Sequence, residues 1–192
     1  MVIVHVPMIH MILNALVLII ERKINVVVLY ILKMIKYLNT KVVFQEIPDE
    51  ISLAINITNC PFLCFNCHSP ELRLDIGEEL TKEKLDIIIE ENPGITCVLF
   101  MGGDRCYKEI EELAFYIHSR CNPPYKVGWY SGNIMIPTDL QIGAFDYIKI
   151  GPYIAERGPI NNKNTNQILY KVNHKYNTLE NITYKFIKTE IL

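Results

Sequence analysis

Residues 52–58 alternate apolar and small or polar side chains, then run through Asn59 into Cys60-Pro61-Phe62-Leu63-Cys64-Phe65-Asn66-Cys67. No other stretch restricts the chain so tightly. In an extended strand Leu53, Ile55 and Ile57 share one face, and Ser52, Ala54, Asn56 and Thr58 share the other. Three thiols then follow within eight residues, spaced C-x3-C-x2-C. Soft thiolates gathered in this way converge on zinc or on an iron–sulfur cluster. The count of three is informative, because a cluster of four irons held by three cysteines keeps one iron for a ligand that is not protein. The alternative is a structural zinc loop with His68 as fourth ligand. Zinc ligand sets usually come as two separated pairs, and the sequence offers no second pair.

A chain of 192 residues suits one domain with a single core, and 50% hydrophobic content supplies that core. The net charge of -2, mixed along the chain, gives no basic face for nucleic acid. Of the six cysteines, Cys97, Cys106 and Cys121 are scattered outside the loop. Clustered thiols of this kind favour a metal over a secreted disulfide framework, and with it a cytoplasmic protein.

The first 33 residues are an apolar extension, interrupted by His5, Pro7, His10 and Asn14. They carry no cationic start and no cleavage signal, and three readings stay open: an extraneous stretch ahead of a start at Met34, a membrane or interfacial anchor, against which the interruptions argue, and packed structure. They read as lying outside the domain, which spans residues 34–192. Within it the pattern gives strands at 41–45, 52–58, 96–101, 126–131 and 146–150. Helices fall at 82–92, capped by Thr81, and at 107–120, with a helical turn near 138–142. Strand-like patches at 167–172 and 182–187 end the chain. Strands alternating with helices indicate an α/β fold built from parallel βαβ units. His118 and His174 read as surface residues, and Glu109, Glu111 and Glu112 as a solvated helix face.

Several motifs agree with the cysteine loop. They are Phe44-Gln45-Glu46-Ile47-Pro48, His68-Ser69-Pro70-Glu71-Leu72, Met101-Gly102-Gly103-Asp104, Tyr130-Ser131-Gly132, Asp146-Tyr147-Ile148-Lys149-Ile150-Gly151-Pro152 and Thr165-Asn166-Gln167. With them the chain resembles the radical S-adenosylmethionine superfamily, and within it the activating component of anaerobic ribonucleoside-triphosphate reductase. The resemblance implies a partial, open βα barrel of parallel strands. It implies a [4Fe–4S] cluster on Cys60, Cys64 and Cys67, with S-adenosylmethionine as co-substrate. Gly102, Gly103 and Asp104 would receive the methionine ammonium, Ser131 the ribose or carboxylate, and Asn66 the adenine side through its backbone. Asp104 stands where the family usually has Glu, and Asn66 where it commonly has an aromatic. The implied partners are the glycyl-radical reductase and a small electron-donor protein. Lys149, Asp146 and Tyr153 are candidates for the rim. Rival readings are a radical enzyme acting on another glycyl-radical protein or a small molecule, and a non-catalytic zinc or iron–sulfur module.

Overall fold

The computed structural model describes Lys23, residues 34–120 and residues 125–187. The reading of residues 1–33 and the cysteine at 121 lie outside these, Lys23 apart. Contacts divide the chain into Met1–Met34 and a second, larger unit, Ile35–Leu192. The larger unit holds one eight-stranded sheet in the order β3-β1-β2-β4-β5-β6-β7-β8. The strands are β1 (Lys36–Val43), β2 (Ser52–Ile57), β3 (Glu78–Glu79), β4 (Cys97–Met101), β5 (Lys126–Tyr130), β6 (Tyr147–Ile150), β7 (Ile168–Asn173) and β8 (Thr178–Asn181). Helix α1 (Lys82–Glu90) links β2 to β4, and α2 (Tyr107–Arg120) links β4 to β5.

The fold is α/β, with an open mixed sheet. Only β2, β4, β5 and β6 pair parallel. β1 is antiparallel to β2 and β3, β7 to β6, and β8 to β7. A wholly parallel arrangement is therefore not what the chain adopts. The β1–β2 connection is short, and a parallel crossover needs a dozen or more residues. β1 also starts at Lys36, five residues before the sequence pattern suggests, because Lys36 and Tyr37 pair with Glu79 and Glu78. Distant partners of this kind leave no local signal. The patch at 182–187 is a 3-10 turn, Thr183–Phe186, and β8 precedes it.

Strand alternation sends side chains to two faces. On one face Leu53, Ile55, Ile57, Val98, Phe100, Val127, Trp129 and Ile148 pack under Leu85, Ile88 and Ile89 of α1 and Ile110, Leu113, Ala114 and Ile117 of α2. The Thr81 side chain accepts from the Lys84 N–H at 3.1 Å and caps α1, a contact whose loss costs about 1 kcal/mol. On the other face Ala54, Cys97, Leu99, Tyr130, Tyr147 and Leu169 are covered by Ile47 and Ile182. Glu50 is buried below them and accepts from Tyr147 (2.8 Å), Thr96 (2.6 Å) and Lys126.

Three side chains differ from their sequence reading. Glu111 is buried, accepting from the Gln141 backbone N–H at 2.7 Å and side-chain amide at 3.2 Å, so it ties α2 to the loop before β6. The Asp146 carboxylate accepts from the Val127 N–H at 2.8 Å and faces His174 Nε2 at 3.0 Å and His118 Nε2 at 3.4 Å. His118 thus turns inward from α2, with its Nε2 buried. Burial pushes the Asp146 carboxyl up, but His118, the Val127 N–H and His174 outweigh it and hold it below the ordinary value. A depressed carboxyl stabilises the fold above its unfolded pKa and loses that contribution as pH falls through the folded one. Asp146→Ala should therefore cost about 1–3 kcal/mol at pH 7. In denaturant titrations the deficit should shrink as pH drops below about 3.9. An Asp146→Ala deficit equally large under acid conditions would rule the carboxylate out as its source.

Candidate functional site

The cysteine loop begins where β2 ends and is held from several sides. Thr58 Oγ1 donates to the Ile76 carbonyl at 2.8 Å. Asn59 and Asn66 adopt positive φ (60° and 55°), which asparagine tolerates better than most residues. They turn the chain into Cys60 and Cys67 respectively. The Asn59 and Cys60 N–H groups donate to Leu74 and Leu72 at 3.0 and 2.9 Å. These bonds brace the loop on the 3-10 segment Pro70–Arg73. The Cys67 N–H donates to the Cys64 carbonyl at 3.3 Å, and Arg73 Nη2 reaches the same oxygen at 2.5 Å.

Opposite the loop, the parallel strands end in two glycine-containing turns. Gly102 follows β4 at φ 93°, and a Cβ there would stand 3.3 Å from the Ile57 carbonyl oxygen. Trp129 Nε1 donates to the Gly102 carbonyl at 2.8 Å. The Asp104 carboxylate accepts from Ser131 Oγ and, at 3.3 Å, from the Gly132 N–H. Burial pushes the Asp104 carboxyl above its ordinary value, although Ser131 and Gly132 pull against it. The two turns are thereby tied to one another beneath the cysteine loop.

A cavity of about 410 Å3 lies among these parts. Cys60, Cys64 and Cys67 line it together with Gly102, Asp104, Ser131, Lys149 and Tyr153. Asn66 and Gly103 are not among the lining residues. Asn66 is exposed, and Gly103 is backed onto the core, where its Cβ would stand 2.8 Å from Ile110 Cγ1. Asp146 faces Val127, His118 and His174 instead and does not line the cavity. Among the described residues, no group of three or more His, Cys, Asp or Glu side chains is gathered as a single metal ion would need. The three thiols are half-buried and open on one cavity. Burial raises the Cys60 thiol, and the neighbouring Asp104, Cys64 and Cys67 raise it further, so a cationic group between them would relieve both effects.

Lys149 is the residue that sequence reasoning undervalued. β6 sends it to the same face as Tyr147, into the cavity, with its ammonium 4.9 Å from the Tyr130 ring centroid. The period-two alternation of β6 was the available signal. Burial lowers its pKa to about 8, while Glu46, Asp104 and Cys64 hold it from falling further. A lysine depressed in the fold penalises stability while it is charged. Stability therefore rises with pH from about 8 toward the unfolded value near 10.4. Lys149→Met should raise the melting temperature at pH 7, and the gain should fade by about pH 10. A Lys149→Met protein less stable than wild type at pH 7 would contradict this account. Compared with family models, curated proteins and solved structures, the chain finds no match.

Proposed function

We propose that this chain is a radical S-adenosylmethionine activase that generates a glycyl radical on anaerobic ribonucleoside-triphosphate reductase. The observation that carries the reading is the convergence of three loop thiols, Asp104 and Ser131 on one cavity at the carboxyl ends of parallel strands, where α/β sheets gather ligands. On this reading the open sheet is a partial βα barrel. Cys60, Cys64 and Cys67 would hold a [4Fe–4S] cluster. When bound there and reduced by the electron donor, such a cluster would supply the one electron that divides S-adenosylmethionine into methionine and a 5′-deoxyadenosyl radical, which would take a hydrogen atom from a glycine of the reductase.

The chain's own residues bind and orient. The Asp104 carboxylate accepts from Ser131 and Gly132 and lines the cavity, and a carboxylate has further lone pairs with which it would receive an ammonium group. Ser131 Oγ, which also accepts from the Asn133 N–H at 3.0 Å, fixes the direction of that carboxylate. Tyr130 and Met101 wall the cavity. The reductase and a small cytoplasmic electron donor are the partners of this proposal. Among the described residues no helix is long and apolar enough to cross a membrane.

Anaerobic reconstitution with iron and sulfide is the test. Cys60→Ala, Cys64→Ala and Cys67→Ala should each abolish cluster assembly, whereas Cys97→Ala should retain it, since Cys97 is buried in the core. Full iron content in Cys64→Ala, or zinc in place of iron in the purified chain, would sink the reading. Asp104→Asn keeps an oxygen for Ser131 and removes the charge. It should weaken S-adenosylmethionine binding by about 1.5–3 kcal/mol while leaving the iron content unchanged. Equal affinity, measured by equilibrium binding to the reconstituted variant, would take Asp104 out of the binding site.

A further inference from the structure

Gly132 follows β5 with ordinary backbone, since its φ lies outside the left-handed range that Gly102 and Gly103 occupy. Conformation alone does not require glycine at this position. What excludes a side chain is an aromatic ring. A Cβ on residue 132 would stand 2.6 Å from Cδ2, 3.0 Å from Cε2 and 3.4 Å from Cγ of Phe62. These atoms belong to a rigid ring close to its own Cβ, so they have little freedom to swing aside. Phe62 lies between Cys60 and Cys64 in the loop and lines the cavity with them. Gly132 in turn donates its own N–H to Asp104. One bare Cα therefore meets the cysteine loop on one side and the acid turn on the other.

We propose that Gly132 is the seat of the Phe62 ring, and that this contact sets the position of the cysteine loop over the cavity. Gly132 and Phe62 are positioning residues. Their influence on a cluster rests on the function proposed above, whereas the seat itself does not. Hydrogen bonds to the ligand sulfurs help to set the reduction potential of an iron–sulfur cluster. Phe62 stands two residues from both Cys60 and Cys64, so displacing its ring would move the backbone that carries these thiols and with it the surroundings of their sulfurs.

The test is a double-mutant cycle on the full chain: wild type, Gly132→Ala, Phe62→Ala and the double variant. In metal-free protein, the rate of Cys60 alkylation by iodoacetamide is followed by mass spectrometry. After anaerobic reconstitution, iron content and midpoint potential are measured. Gly132→Ala should change the alkylation rate several-fold, and should reduce the iron content or shift the potential. In the Phe62→Ala background the same change at 132 should add nothing, because no ring remains to be displaced. Wild-type behaviour of Gly132→Ala would overturn the proposal, as would equal damage with and without the ring. Should Gly132→Ala fail to fold, the double variant must fold, and its failure would equally overturn the seat. A wild-type chain that takes up no iron would defeat the proposed function, and the alkylation cycle would still decide this inference.

Discussion

Strands β2, β4, β5 and β6 pair parallel, and a parallel sheet must be covered on both faces. The chain supplies only two described helices to the sheet, and both contribute to the same core, beneath Phe100 and Trp129. The other face is covered by short pieces: Ile47 from the β1–β2 connection and Ile182 beyond β8. These close over Ala54, Cys97, Leu99 and Tyr147, and Glu50 satisfies the polar groups beside them. The same face continues toward the strand ends as Asn56, Met101, Tyr130 and Lys149, and there it lines the cavity. Among the described residues the site thus lies where coverage on one side of the sheet stops, bounded by the cysteine loop.

The antiparallel edges follow from the same constraint. Beyond β6 no further described helix is available for a crossover, and the chain returns antiparallel through β7 and β8. β1 does the same on the other side, and its bond to Thr58, from the Thr58 N–H to the Lys36 carbonyl at 2.9 Å, fixes the start of the cysteine loop. The edge strands therefore finish the sheet and also anchor the segment on which the thiols stand.

Local signals carried much of this into the sequence. The Thr81 cap, the apolar stripes of α1 and α2 and the alternation of β2 depend on neighbours three or four residues away, or two along a strand, and those are legible. The gathering of the cysteine loop with Asp104 and Ser131 was legible as motifs at strand ends. The partners of Glu111 and His118 come from afar, Gln141 in one case and Asp146 in the other, and so leave no local signal. Lys149 was undervalued for a related reason. A charged residue near a strand end is ordinarily solvated, and only the sheet register brings Tyr130 beside it.

Asp104 joins these threads. Its carboxylate is held by Ser131 and Gly132, so the acid fastens the turn after β4 to the turn after β5 and still faces the cavity. A glutamate, one methylene longer, would set its carboxylate farther from the backbone of residue 104 and alter both contacts. The shorter side chain is therefore matched to its neighbours. Gly132 gives its N–H to the acid and its unobstructed Cα to Phe62. The ring it receives belongs to the loop that carries Cys60 and Cys64. Acid turn, strand-end turn and thiol loop are accordingly one mechanical unit, built from a carboxylate, a hydroxyl and the absence of a side chain at residue 132.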